Sequence, residues 1–127
     1  YNASPDSMSA ALRTLAQIRK PDGRSVAVLG AMSELGEYSI EEHIRVALQA
    51  VRLRISELVV VGAAARQLHI SAINEGSWDG ESVFFETQDE AFAYLSDTLR
   101  PNDTVIVKSS NAAGLQQLGD RLGEAHA

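Results

Sequence analysis

Four short apolar runs punctuate the chain, too far apart to be joined as hairpins. They are SVAVLG at Ser25–Gly30, ELVVVG at Glu57–Gly62, SVFF at Ser82–Phe85 and TVIVK at Thr104–Lys108. Runs this short, β-branched and apolar on both faces read as strands buried on both sides. Between them the apolar residues recur at steps of three and four, the period of a helix face. Strand, helix, strand in alternation predicts an α/β chain, a Rossmann-like three-layer sandwich with a mostly parallel sheet and helices on both faces. The half-Rossmann strand order 3-2-1-4 with right-handed crossovers is expected. Ligands of such sheets meet the loops at the carboxyl ends of the strands. Here those loops begin at Gly30, Gly62, Glu86 and Lys108.

The helices follow from pattern and punctuation. Met8, Ala11, Leu12, Leu15 and Ile18 form one face of a first helix. Ser4 suits its N-cap, Pro5 its first position, and Asp6 its positive dipole end. Lys20-Pro21-Asp22-Gly23 is turn chemistry and ends it. Ile40, Ile44, Ala47, Leu48 and Val51 mark a second helix, with Ser39 as cap. A third runs from about Ala63 to Ile73, and Glu75–Gly80 turns. Gln88–Leu99 is the fourth, with Phe92, Leu95 and Leu99 on one side. Pro101-Asn102-Asp103 turns the chain into the last strand. Leu115, Leu118 and Leu122 mark a closing helix that frays after Gly123.

Composition narrows the function classes. The 127 residues suit one domain and bury about two-thirds of the unfolded surface. With 17 acidic and 11 basic residues the net charge is −6, and no basic cluster offers a nucleic-acid footprint. No apolar run nears the roughly 20 residues that span a bilayer as a helix. The absence of cysteine removes disulfides, thiolate metal sites and cysteine nucleophiles. His43, His69 and His126 have no second ligand at metal spacing and read as surface or packing residues. Trp78, in a turn, is expected to cover a sheet edge. The acidic pairs Glu41-Glu42 and Asp89-Glu90 sit near helix starts, where the dipole accounts for them.

Three strand-end segments remain as candidates for chemistry. Gly30-Ala31-Met32-Ser33-Glu34-Leu35-Gly36 sits where a phosphate loop would sit, yet it is neither GxGxxG nor GxxxxGK[ST] and carries Glu34. It reads as a structured loop or as a substrate-contacting one. Gly62-Ala63-Ala64-Ala65 reads as close helix-on-strand packing rather than a ligand site. Lys108-Ser109-Ser110-Asn111 places a cation and three polar side chains before a helix start, which suits phosphate or carboxylate. The plainer reading is an exposed lysine with Ser110 or Asn111 as an ordinary cap. No carboxylate pair, Ser-His-Asp set or zinc cluster stands out. The residues describe a ligand-contacting domain without its own catalytic centre.

Three stretches carry a resemblance. Tyr1-Asn2-Ala3-Ser4-Pro5-Asp6-Ser7-Met8 with Ala10-Ala11-Leu12 resembles the signature YNANPDSM-x-AAL of a branch of the Mur ligase family. VAVLGAMSELGE, Val26 to Glu37, resembles that branch's AVLGDMLELGE, and DTVIVKSS, Asp103 to Ser110, its D-x-VLVKGS. The resemblance runs nearly end to end. It implies the third, C-terminal domain of a bacterial cell-wall ligase, spanning residues 1–127, with the N-terminal sugar-binding and central ATPase domains outside this chain. That branch joins D-alanyl-D-alanine to UDP-N-acetylmuramoyl-tripeptide in peptidoglycan precursor synthesis. ATP phosphorylates the tripeptide carboxylate, and the dipeptide amine displaces phosphate from the acyl phosphate.

The resemblance further implies ATP and magnesium as cofactors, held mainly by the central domain. It implies a cytoplasmic monomer with no nucleic-acid or membrane partner. Tyr1 and Asn2 fall on the nucleotide-side motif. Met32, Glu34, Leu35 and Gly36 fall on the loop after the first strand, and Lys108 and Ser110 on the KGS loop. The family's aspartate, glycine and arginine at three further positions are Ala31, Ser109 and Asn111 here. No residue of this chain is expected to be catalytic by itself, and none to bind metal. The family's sheet has six strands against four read here, so an additional strand before Tyr1 is expected. The alternatives are the C-terminal domain of another Mur ligase or of a folylpolyglutamate synthase-like ligase, or a free-standing α/β binding module. An upstream GxxxxGK[ST] would separate these.

Overall fold

The computed structural model describes residues 4–32, 35–75, 78, 80–109 and 115–125. Four five-residue strands alternate with helices: α1 Pro5–Ile18, β1 Ser25–Leu29, α2 Ser39–Arg52, β2 Glu57–Val61, α3 Arg66–Glu75, β3 Glu81–Phe85, α4 Gln88–Thr98, β4 Thr104–Lys108 and α5 Gln116–Ala125. The sheet is parallel with order β3-β2-β1-β4. The expected strand order holds. β1 and β2 lie in the middle and are buried at every position, whereas β3 and β4 are flanking strands and only half-buried.

Alternation along the strands divides the core into two layers. Ala27, Leu29, Leu58 and Val60 pack against Met8, Leu12 and Leu15 of α1, Val46, Ala47 and Ala50 of α2, and Leu68 and Ala72 of α3. Val26, Val28, Val59 and Val61 face the other way, onto Ala91 and Leu95 of α4 and Leu115, Leu118 and Leu122 at α5. The Ser4 cap forms as expected. Its side chain accepts from the Ser7 N–H, and Ser7 reciprocates to the Ser4 N–H. Thr87 and Glu90 cap α4 in the same way.

Two helix readings are corrected. α2 is entered through a 3-10 turn at Gly36–Tyr38, so the chain is already helical before Ser39. Ser39 is the first helical residue rather than an extended N-cap. The buried face of α2 is also rotated from the Ile40–Val51 stripe. It comprises His43, Val46, Ala47 and Ala50, while Ile40 is 62% exposed. Spacings of three, four and seven fit this set equally well, and Ala and Val let α2 approach the sheet closely. α5 continues past Gly123 to Ala125. Trp78 is half-buried, and its indole N–H donates to the Ile55 carbonyl at 3.0 Å, covering the start of β2.

Candidate functional site

The carboxyl ends of the strands frame an open cleft of about 300 Å³, lined by Ala31, Val61, Gly62, Ala63, Ala64, Ala65, Glu86, Gln88 and Leu115. Three of the four strand-end loops therefore meet in one place. Gly62 has φ +96°, with no atom near the space a Cβ would fill, so conformation alone calls for glycine. It turns the chain out of β2, fixed by its N–H to the Phe85 carbonyl at 2.8 Å. Ala65 is buried beneath the turn, but Ala63 and Ala64 are exposed. The segment is thus a packing element through Ala65 and a cleft wall through Ala63 and Ala64. Exposed Glu86 brings a carboxylate to an otherwise methyl-lined surface.

The loop after β1 is tied down at both sides. Its first N–H, from Gly30, donates to the Lys108 carbonyl at 2.9 Å. A Cβ on Gly30 would lie 2.8 Å from the Ser109 Cβ and 2.9 Å from Leu115, so the loops after β1 and β4 touch there. The Met32 side chain is buried in the α1–α3 layer, and its N–H donates to Nε2 of buried His43 at 3.2 Å. The same ring reaches the Ser39 carbonyl from Nδ1 at 2.6 Å. Leu35 packs on the same layer, and its carbonyl accepts from the Tyr38 N–H. Gly36 opens the exposed 3-10 turn.

Lys108 ends β4 in register with Leu29. Alternation puts it on the Ile106 side of the sheet, the layer that α1 covers. The cleft draws on both layers, Ala31 and Ala65 on the Ile106 side and Val61 and Leu115 on the other, and Lys108 is set apart from it along the sheet, because β4 lies on the far side of β1 from β2 and β3. α1 leads through a short turn into the start of β1, so its N-terminus lies at the carboxyl end of the sheet, on the Lys108 side. Ser109 accepts from the Leu115 N–H at 3.3 Å at the approach to α5. It is not among the described residues with positive φ, so position 109 does not take the left-handed turn a glycine would permit.

The family model of the Mur ligase, glutamate ligase domain, matches residues 1–111. The chain belongs to that family. Among the relatives of this Mur ligase domain, a Mycobacterium bovis protein named UDP-N-acetylmuramoyl-tripeptide–D-alanyl-D-alanine ligase is 46% identical over 138 aligned residues. The match takes in 96% of this chain and 27% of that protein, so the chain spans about a quarter of the curated relative. A crystal structure of MurF from Acinetobacter baumannii superposes with TM-score 0.79 at 30% identity, over 98% of this chain and 26% of the other. MurF ligase from Thermotoga maritima, solved with ADP, superposes with TM-score 0.77 at 22% identity, a likeness of fold.

The residues expected at the site fall in three groups. Tyr1, Asn2, Glu34, Ser110 and Asn111 lie outside the described residues. Met32 and Leu35 turn their side chains toward the core, so at Met32 only the backbone is left for the cleft side. Gly36 and Lys108 are at the strand ends, but neither lines the cleft that Ala31, Gly62 and Glu86 share. Glu86 and Gln88 have no sequence pattern that marks them as site residues, and Ala63 and Ala64, read from sequence as packing, line the cleft. The one signal was that Glu86 and Gly62 open strand-end loops. His43 was missed because the Ile40 stripe left it on the wrong face. Among the described residues no three His, Cys, Asp or Glu side chains gather to hold a metal.

Proposed function

We propose that this chain is the C-terminal domain of an ATP-dependent ligase that joins D-alanyl-D-alanine to UDP-N-acetylmuramoyl-tripeptide in cytoplasmic peptidoglycan precursor synthesis. The observation that carries this reading is the 46% identity along 96% of the chain to a ligase of that name. The site supports it in kind. Alanine methyl walls with one exposed carboxylate, Glu86, suit a small ligand that bears methyl groups and an amine. Lys108, across the strand ends, suits the phosphoryl or carboxylate partner of that amine.

In this reading ATP phosphorylates the tripeptide carboxylate, the dipeptide amine attacks the acyl phosphate, and the tetrahedral adduct collapses to amide and phosphate. This chain supplies no nucleophile. It closes over the reactants, excludes water, and places the Lys108 ammonium where negative charge gathers. Tyr1 and Asn2 serve the nucleotide side, and Met32, Glu34, Leu35, Gly36 and Ser110 belong to the substrate-side loops. The ligase acts as a monomer without nucleic-acid or membrane partners. No described helix is long and apolar enough to cross a membrane.

The test is phosphate release by the longer ligase that carries this chain, given ATP and UDP-N-acetylmuramoyl-tripeptide. D-alanyl-D-alanine is expected to support turnover, and single amino acids such as glutamate are not. Turnover with a single amino acid in place of the dipeptide would reassign the branch. The 127-residue chain alone should neither hydrolyse ATP nor bind it at micromolar concentration in calorimetry, because an open cleft buries only one side of a ligand.

A further inference from the structure

His43 is 1% exposed, yet both of its ring nitrogens are engaged by backbone groups. The Ser39 carbonyl can only accept, so Nδ1 carries the proton. The Met32 N–H can only donate, so Nε2 offers a lone pair. Those partners fix one neutral tautomer. Ser39 opens α2, and Met32 belongs to the loop after β1, so the imidazole bridges a helix start and a strand-end loop.

The bridge reaches the cleft through one peptide plane. The Met32 N–H shares its peptide unit with the Ala31 carbonyl, and Ala31 lines the cleft. In a trans peptide the carbonyl points opposite to the N–H, and the described chain has no cis peptide bond. Holding the Met32 N–H on the buried ring therefore directs the Ala31 carbonyl away from that ring and fixes the wall to which it belongs. On the other side the loop is held by Gly30 N–H on Lys108 and by the contact of Gly30 with Ser109 and Leu115. Between these two anchors the backbone at Ala31 has one orientation.

We infer that His43 is a positioning residue: its neutral imidazole latches the Ala31–Met32 peptide and holds that wall of the cleft in the shape that receives substrate. The role in turnover rests on the ligase reading above, but the latch itself does not. A latch of this kind sets the fraction of molecules whose loop is competent to bind. Apparent affinity falls in proportion to that fraction, while the step after binding is unchanged.

Two measurements test this. In the 127-residue chain, nitrogen NMR should show His43 protonated on Nδ1 alone. It should also show a scalar coupling between the Met32 amide nitrogen and His43 Nε2, transmitted through the N–H···N bond. Absence of the coupling, or the other tautomer, would overturn the latch whatever the protein does. In the longer ligase, His43→Leu should raise KM for at least one of its three substrates about tenfold, with kcat within about twofold, as expected if nine in ten loops are released. His43→Gln, whose amide oxygen can accept near the Nε2 position, should recover most of that loss. A fall in kcat at unchanged KM in folded His43→Leu would mark His43 as structural only and overturn the positioning role. If His43→Leu does not fold, His43→Asn, too short to offer an acceptor at the Nε2 position, decides: KM raised with kcat within about twofold upholds the role, and unchanged KM overturns it. An inactive ligase with the coupling intact would refute the ligase reading and leave the latch standing.

Discussion

Single residues at the strand ends divide into those that shape the backbone and those that present charge. Gly62 is of the first kind. Its φ of +96° is open to glycine and strained for any residue with a Cβ, although the space is empty. Gly62→Ala should cost about 1–3 kcal/mol in urea unfolding, with no cavity or clash to repair. Stability within about 0.3 kcal/mol of wild type would mean the turn relaxes freely, since that is within the usual scatter of surface changes. Lys108 is of the second kind. Half-buried at the end of β4, it has no ion-pair partner among the described residues. In the longer ligase, Lys108→Ala should lower kcat/KM about ten- to a thousandfold, or roughly 1.4–4 kcal/mol of transition-state stabilisation, and leave Tm in place. Wild-type kinetics would return Lys108 to an ordinary surface cation. The sequence shows Lys108 plainly, because a cation ending an apolar strand breaks its own pattern.

At the scale of elements, the amino ends of the strands form a second polar cluster that serves stability. Arg24, just before β1, grips Asp103, just before β4, through two hydrogen bonds of 2.6 and 3.0 Å. It also donates to the Thr98 carbonyl at the end of α4, where a cation suits the helix dipole. Beside it, buried Glu57 of β2 accepts from the Tyr94 hydroxyl at 2.9 Å, while its other oxygen finds no donor among the described residues. Its register partner is Glu81 of β3. Burial raises the Glu57 pKa. The Tyr94 hydrogen bond opposes the rise, and Glu81 adds to it. Burial also tends to raise Asp103, but the Arg24 hydrogen bonds and the Arg100 N–H outweigh it and hold its pKa below the ordinary value. The two groups give opposite linkage. Glu57 favours the fold below its unfolded pKa near 4.3 and burdens it as pH rises through the higher folded value. Asp103 supports the fold above about pH 3.9 and loses that support as pH falls through its lower folded value. Glu57→Gln should therefore raise Tm at pH 7 by about 3–6 °C, near 1 kcal/mol, and have no effect below pH 4. Asp103→Asn should cost about 2–3 kcal/mol at pH 7, and less in acid. Parallel Tm-against-pH curves for wild type and both variants would refute this assignment. The strands themselves were legible from their β-branched runs, and β4 coincides with TVIVK. The face of α2 was not, because two sets of residues satisfy one helical period and only packing against the sheet chooses between them.

At the scale of the molecule, the sheet is covered on its two faces and ends in two edge strands, β3, which pairs with β2 alone, and β4, which pairs with β1 alone among the described strands. Alternating runs predict this layering, because a parallel strand must be covered on both faces. The expected order 3-2-1-4 already places β3 and β4 at the edges, as the structure has them. Among the described residues, the β4 edge is the one beside which a groove runs. Every residue of β4 is only half-buried, unlike β1, and a groove of about 580 Å³ runs beside it. Leu99, Val105, Val107 and Leu122 supply the apolar part of its lining. Unpaired strand N–H and C=O groups beside half-buried apolar side chains invite pairing with another strand. A polypeptide extended before Tyr1 by about ten to fifteen residues, the length of a strand and its loop, would offer one from the same molecule. Such an extended chain is expected to melt higher than the 127-residue chain, by about 3–6 °C for each kcal/mol the strand contributes. The shorter chain is expected to self-associate as its concentration rises, and sedimentation should show the extended one to be monomeric. Val105→Lys and Val107→Lys both place charge on the groove at half-buried positions that pack on the α4–α5 layer, and either, if its Tm shows it folded, should suppress association of the shorter chain. Equal melting temperatures, with both chains monomeric at every concentration, would mean that the β4 edge is adequately protected by its own flanking helices and that an added strand brings no stability.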